Sequence, residues 1–282
     1  MPELPEVETV RLGLNRVTLN YPIRGGEVLL KRTIAHPLSV DAFLMGLQGC
    51  CLYHWRRRGK YLLAQLVQAR GNPGGWLGIH LRMTGQMLWL LQSASPPRHC
   101  RVRLYFESGQ ELQFVDQRTF GRMWWVPPEY EPQQVIAGLA TLGPEPLAST
   151  FSVPYLSQAL RHRQRPIKNA LLDQTLVAGI GNIYADEALF ISGIHPQVPC
   201  AQLRRHRIER LHQSIRQVLT VGIEAGGTTF SDFHDIHGVN GNYSGVAWVY
   251  DREGNPCRVC ETPIRRLRLA GRSAHYCPRC QR

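Results

Sequence analysis

Four cysteines near the carboxyl end constrain this chain more than any other feature: Cys257-Arg-Val-Cys260 and Cys277-Pro-Arg-Cys280, with sixteen residues between the pairs. Two Cys-x-x-Cys knuckles at this separation offer four thiolates to one tetrahedral Zn²⁺ and leave no open position for a substrate. One structural Zn²⁺ is therefore expected, holding a segment too short to have its own core. Disulfides are the poorer explanation in a chain read as cytoplasmic. That reading rests on the first ten residues, MPELPEVETV, which carry three glutamates and no basic residue, unlike a cationic secretory start. Between the knuckles lie Arg265, Arg266, Arg268 and Arg272. The clamped segment is expected to present arginine to nucleic acid, with solubility or packing as the alternative. Cys50, Cys51, Cys100 and Cys200 share no such spacing and are expected to be ordinary buried thiols.

The length of 282 residues, at roughly 100–200 residues per domain, suggests two or three units. Disorder is excluded by 43% hydrophobic and 19% charged residues, and no apolar run approaches the ~18 residues of a membrane span. The net charge of +12 favours a polyanionic partner. Only three of the 33 basic residues are lysine, and arginine suits bidentate contact with phosphate or guanine edges. Residues 1–130 hold 16 basic and 9 acidic groups, residues 131–240 balance, and residues 241–282 hold 8 and 3.

Hydrophobic periodicity divides the chain in the same places. Pro5 suits a first helical turn, Glu6 and Glu8 favour its positive end, and Val7, Val10 and Leu14 repeat at helical spacing. The period then changes to two: Tyr61 to Val67, Trp76 to Leu81 and Met87 to Leu91 are expected strands. Val102, Leu104 and Phe106 alternate with Arg101, Arg103 and Tyr105 before a Ser108-Gly109 turn, which predicts an antiparallel β domain with one basic face. Val126-Pro-Pro-Glu-Tyr-Glu-Pro132 marks a linker. Beyond it Ile208, Leu211, Ile215, Leu219 and Ile223 form a helical stripe. The Gly, Thr, Asn, Asp and His composition from Gly226 to Gly245 predicts a long exposed loop. The domains expected are 1–130, 131–240 and 241–282.

The amino terminus is the second chemical signal. Removal of Met1 makes Pro2 a free secondary amine beside Glu3, and an α-amino group titrating near 7.7–8.0 has a neutral, nucleophilic fraction at working pH. Its addition to an aldehyde-level carbon gives an iminium that acts as an electron sink and permits elimination. Pro2 as a simple helix start is the other reading.

Several ordered strings discriminate between these readings: Pro2-Glu-Leu-Pro-Glu-Val-Glu-Thr9, Arg57-Arg58-Gly-Lys60-Tyr-Leu-Leu, His80-Leu-Arg-Met83-Thr-Gly, Asp116-Gln-Arg118-Thr-Phe120-Gly, Leu142-Gly-Pro-Glu-Pro-Leu147, Gly179-Ile-Gly-Asn182-Ile-Tyr-Ala185, Gly226-Gly-Thr-Thr229 and His275-Tyr-Cys-Pro-Arg-Cys-Gln-Arg282. Over its whole length the chain resembles the formamidopyrimidine-DNA glycosylases, bacterial repair enzymes for oxidised purines. The resemblance implies an α+β, multidomain fold. It comprises an N-terminal β-sandwich with flanking helices, a central helical helix–two-turn–helix domain and a C-terminal four-cysteine zinc β-hairpin.

The resemblance also implies roles. Pro2 attacks the sugar C1′, Glu3 moves the proton, Lys60 donates a proton in β-elimination, and Arg272 assists δ-elimination and binds a phosphate next to the lesion. Met83, Arg118 and Phe120 fill the gap left by the extruded base. Asn182, His99 and Arg163 contact DNA, and Lys168 lies close to the lesion. The partner implied is damaged double-stranded DNA, bound by a monomer at the bacterial nucleoid, with no membrane.

The sequence departs from the family at three places. Thr119 stands where a basic residue usually follows the inserted arginine; His99-Cys100-Arg101 replaces His-Asp-His; and the loop from Phe230 to Tyr243, which closes over the base in the family, carries extra histidines at 234 and 237. The rival readings are an endonuclease VIII-type glycosylase for oxidised pyrimidines and a non-catalytic zinc-ribbon protein that binds nucleic acid.

Overall fold

The first helix, α1 (Leu4–Val17), follows from its opening residues. Pro5 sits in the first turn, and Glu3 and Glu6 form a reciprocal capping box in which the Glu3 N–H donates to Glu6 Oε2 at 2.7 Å. Val7, Val10 and Leu14 are buried as their spacing predicts. The computed structural model describes residues 1–68, 71–93, 95–228 and 245–282. The chain divides into two compact units, Met1–Ala140 with Gly226–Gly241 and Thr141–Ala225 with Asn242–Arg282.

In the first unit α1 is followed by β1 (Ile23–Val28), a 3₁₀ turn (Lys31–Thr33), β2 (Ile34–His36) and α2 (Val40–Leu47). Seven strands come next: β3 (Cys51–Arg58), β4 (Tyr61–Val67), β5 (Pro73–His80), β6 (Gly85–Leu91), β7 (Cys100–Phe106), β8 (Gln110–Asp116) and β9 (Arg122–Val126), then short helices α3 (Pro132–Val135) and α4 (Ala137–Ala140). The strands form two sheets, β1-β7-β8-β6 and β2-β9-β5-β4-β3. One continuous core joins their facing sides, with Trp55, Leu62 and Ile79 from one sheet and Val102, Phe106 and Phe114 from the other. The expected β-sandwich is present, and β4 has the bounds expected. β5 and β6 begin earlier than the apolar pattern suggests, because pairing carries them through the flanking glycines.

The expected basic face of β7 is corrected at Arg103, which is 4% exposed. Its Nε donates to Glu111 Oε2 at 2.8 Å, so the guanidinium is neutralised inside the sheet. Arg101 is half-buried and donates to Asp116 O at 2.8 Å.

The second unit holds α5 (Val153–Leu160), α6 (Ile167–Leu171), α7 (Asn182–Ile191), α8 (Arg205–Glu224) and a hairpin of β10 (Arg265–Leu269) and β11 (Arg272–Tyr276). Ile208, Leu211, Ile215 and Leu219 bury one face of α8, as the stripe predicts. Gly222 extends that face: a Cβ there would lie 2.6 Å from Tyr184 Cε1, so only glycine lets the helix approach the ring. A small cluster of Phe190, Val249, Cys257, Ile264 and Cys277 packs the cysteine-bearing segment. The expected lesion loop, Phe230 to Tyr243 with His234 and His237, lies outside the described residues. No helix among the described residues is long and apolar enough to cross a membrane.

Candidate active site and nucleic-acid interface

In the first unit the capping box that starts α1 also fixes the amino terminus. Pro2 is buried, and Glu3, Glu6 and Lys60 are 2%, 1% and 6% exposed. Burial pushes the Met1 α-amino group below its ordinary value; Glu3 and Glu6 oppose that shift, and Lys60 and Arg118 add to it. Two carboxylates, an ammonium and a guanidinium thus act on the same terminal amine. Glu6 does more than cap: its Oε1 accepts the Thr228 N–H at 2.9 Å, so one buried carboxylate ties the start of the chain to Gly227-Thr228.

Lys60 closes the Gly59-Lys60 turn before β4, and the ring of its neighbour Tyr61 meets His80 edge-on with centroids 4.5 Å apart. His80 Nδ1 accepts the Arg82 N–H at 3.0 Å. Burial, with Arg82 and Lys60 adding repulsion, pushes the imidazole pKa down to about 3, so His80 is a neutral acceptor at working pH.

Two loops carry the three residues expected to enter a duplex. Met83 follows β5 and is half-buried, whereas Arg118 and Phe120, between β8 and β9, are exposed. The Arg118 guanidinium lies over the Phe120 ring at 5.1 Å. Asp116 joins the loops: Oδ1 accepts the Thr84 hydroxyl at 2.5 Å and Oδ2 accepts the Gly121 N–H at 2.7 Å, while Thr84 Oγ1 accepts the Arg118 N–H at 3.0 Å. A Cβ at Gly121 would lie 2.3 Å from Phe114 Cζ, so the loop turns there against an aromatic ring. Arg82, Thr119 and His99 all have left-handed backbone, with φ of 56°, 60° and 71°. Non-glycine residues held there cost roughly 1–2 kcal/mol each. Three such residues beside candidate DNA contacts mark segments shaped for something other than stability.

In the second unit Asn182 is the first residue of α7, following Gly179 (φ 90°) and Gly181, and its Nδ2 donates to Ser273 Oγ at 3.2 Å. Arg272 stands exposed at the start of β11, and Arg265, Arg266 and Arg268 are exposed on β10. Arg163, half-buried, shares Asp173 with Arg165 at 3.2 and 2.6 Å.

Lys168, expected close to the lesion, is held inside the second unit. It is fully buried; its Nζ lies 2.6 Å from Asp186 Oδ1 and donates to the Ser273 carbonyl. Asp186 Oδ2 accepts the His275 N–H at 2.9 Å. The physical reason is the carboxylate on α7, which gives the ammonium a partner inside the unit. Lys168 thereby joins α6, α7 and β11, the elements that carry Asn182 and Arg272. Glu187, next on α7, receives the N–H groups of Trp248, Val249 and Tyr250 at 2.7 to 2.9 Å. Sequence reasoning assigns Glu6, Asp116, Asp186 and Glu187 no role in the site. Each sits in or beside a quoted motif, but its partners are distant in sequence.

The four sulfur atoms of Cys257, Cys260, Cys277 and Cys280 lie within 4.8 Å of one another. Tetrahedral coordination at about 2.3 Å needs sulfurs near 3.8 Å apart, and the Cys257–Cys280 and Cys260–Cys277 separations are 3.9 and 3.4 Å. The donor set fits one structural zinc. Cys50, Cys100 and Cys200 are buried thiols, while Cys51 is partly exposed; burial pushes Cys100 up to about 11.

Three family models match in order: the formamidopyrimidine-DNA glycosylase N-terminal domain over residues 1–123, its H2TH domain over 142–234, and the zinc finger found in FPG and IleRS over 254–282. A formamidopyrimidine-DNA glycosylase from Acaryochloris marina is 60% identical over 281 residues, covering 100% of this chain and 99% of that one. The crystal structure of the FPG protein from Thermus thermophilus is 38% identical with TM-score 0.87, covering 99% of this chain and 98% of that one. A Lactococcus lactis FPG variant, solved in complex with a Fapy-dG containing DNA, is 32% identical with TM-score 0.90 over 100% of both chains. Sandwich, helical unit and four-cysteine hairpin together define a DNA glycosylase of the helix–two-turn–helix class. Within that class the chain belongs to the formamidopyrimidine-DNA glycosylase family.

Proposed function

We propose that this chain is a bifunctional DNA glycosylase and AP lyase of base excision repair, removing oxidised purines such as 8-oxoguanine and formamidopyrimidines from duplex DNA. The observation that carries the proposal is the amino terminus, where Pro2 is buried together with Glu3, Glu6 and Lys60. With Met1 removed, the secondary amine of Pro2 attacks C1′, the glycosidic bond breaks, and the base leaves with a proton that Glu3 supplies or relays. The amine then stands on C1′ in place of the base; cleavage of the C1′–O4′ bond, with a proton delivered to O4′, opens the sugar ring and leaves a cationic iminium, which acidifies C2′. Loss of the C2′ proton expels the 3′ phosphate, with Lys60 as proton donor, and a second elimination assisted by Arg272 expels the 5′ phosphate.

The remaining residues serve extrusion, which costs a few kcal/mol. Met83, Phe120 and Arg118 occupy the vacated stack, Arg118 reading the orphaned partner base. Asn182, His99 and Arg163 hold DNA. Lys168 acts from inside the second unit by fixing the strand that carries Arg272. Zinc supports the hairpin and takes no part in the chemistry. The three-part division near residues 130 and 240, a monomeric state and a place at the nucleoid belong to the same proposal.

Borohydride reduction in the presence of an 8-oxoguanine duplex tests it. The expected result is a covalent adduct whose peptide begins at Pro2. Failure to trap with Met-free, zinc-loaded protein overturns the covalent mechanism. Stronger trapping on a thymine glycol duplex would move the enzyme to the oxidised-pyrimidine type.

A further inference from the structure

Thr119 leaves the loop that carries Arg118 and Phe120 without a basic residue of its own next to the inserted arginine, yet the structure places one there from another part of the chain. Strand β2 runs parallel to β9 in the register Ile34↔Met123. Just ahead of β2 the 3₁₀ turn Lys31–Thr33 sets Arg32 against the loop that leads into β9. The Arg32 guanidinium donates through Nη2 to Thr119 Oγ1, and both Lys31 and Arg32 are exposed.

The three arginines at this loop have different duties. Arg122 Nη1 turns back onto the carbonyls of Thr119, Phe120 and Gly121 at 3.4, 3.3 and 2.9 Å and holds the loop. Arg118 is stacked on Phe120. Arg32 forms no ion pair with a carboxylate among the described residues, and a guanidinium has five donors, of which one is directed at Thr119. An exposed cation with four further donors, beside Arg118 and Phe120, suits an anion spaced along a duplex.

We infer that Arg32 is a DNA-phosphate contact of this chain, held at the insertion loop by Thr119 and carrying there the charge that Thr119 lacks. The inference rests on the duplex-binding reading above. Its chemistry is electrostatic and independent of base sequence. Each phosphate neutralised releases counterions and steepens the fall of log affinity with log salt by about 0.9. Across a rise from 50 to 200 mM salt, loss of one contact makes the fall in affinity about 3.5-fold smaller.

The test is the salt dependence of binding to a duplex bearing a tetrahydrofuran abasic analogue, measured on full-length, zinc-loaded protein. Arg32→Gln is expected to reduce the slope by about 0.9, with unchanged melting temperature. Arg32→Lys is expected to keep the slope. Thr119→Arg in the Arg32→Gln background is expected to restore it, because the charge returns to the same place. A wild-type slope in Arg32→Gln, or no recovery in the double variant, overturns the inference. Wild-type protein that binds this duplex without salt dependence would instead overturn the duplex-binding reading itself.

Discussion

Glu6→Gln isolates the contribution of one carboxylate to both the shape and the protonation of the amino terminus. Glu6 accepts the Glu3 N–H at 2.7 Å and the Thr228 N–H at 2.9 Å, and all three residues are 2% exposed or less. Glutamine keeps one carbonyl oxygen and turns an NH₂ toward the other donor, so one hydrogen bond to a charged acceptor is lost. Such a bond is worth about 1.5–3 kcal/mol, and relief of a buried charge offsets part of it. A net cost of about 2 kcal/mol lowers the melting temperature of a unit this size by roughly 4–8 °C. The sign of the pH effect is independent of that loss. Glu6 opposes the burial that pushes the pKa of the Met1 amine down; a carboxylate this close acts with the same sign on the amine of Pro2, so removing its charge lets that pKa fall. In single-turnover borohydride trapping the neutral amine reacts, so the midpoint of the rising limb moves to lower pH. The plateau falls about 10- to 100-fold, because the nucleophile and the Thr228 segment lose their common tether. A variant with wild-type stability, or with its midpoint moved to higher pH, would refute the assignment of Glu6 to this site.

Lys168→Met should destabilise the second unit by about 3–5 kcal/mol, since it takes from the fully buried Asp186 its ammonium partner and leaves it only the His275 contacts. Urea unfolding monitored in that unit measures this, and a cost under about 1 kcal/mol would mean that the His275 contacts alone satisfy Asp186. Cys260→Ser should remove zinc, stoichiometrically one per chain, and with it DNA affinity, because a segment of this length gains its fold from the ion. Metal analysis alongside duplex binding decides it; retained affinity without zinc would separate the hairpin from DNA recognition.

The parts of this molecule that are legible in the sequence are those with short-range causes. The capping box at Glu3 and Glu6, the stripe on α8 and the two cysteine knuckles each specify their structure within a few residues, and the helix starts, buries its face and gathers its sulfurs accordingly. What cannot be read depends on partners far along the chain. Strand alternation places Arg103 on a solvent face, and isolated arginines are seldom buried. Glu111, across the β7–β8 pair, supplies the opposite charge that lets the guanidinium sit inside. A motif position places Lys168 close to the lesion, and nothing local shows that Asp186 on a different helix pairs with it. Nothing local marks Arg32, since only the parallel β2–β9 register brings it to the insertion loop.

The same distinction governs what the net charge of +12 means. Four thiolates and one Zn²⁺ bring −4 + 2 = −2, which leaves about +10 in the folded, metal-loaded chain. Much of the remaining basicity is already engaged: Arg103 with Glu111, Lys168 with Asp186, Arg11 and Arg57 with Glu8. These pairs position the strands and helices on which the exposed arginines stand, and they release no counterions when DNA binds. The salt slope of binding should therefore count exposed cations such as Arg32, Arg118, Arg265, Arg268 and Arg272, and be insensitive to the paired ones. Arg103 is the discriminating case. Its substitution should lower stability, through the uncompensated Glu111, while leaving the salt slope of the protein that remains folded unchanged; a slope lowered by about 0.9 would show instead that the buried pair opens onto phosphate.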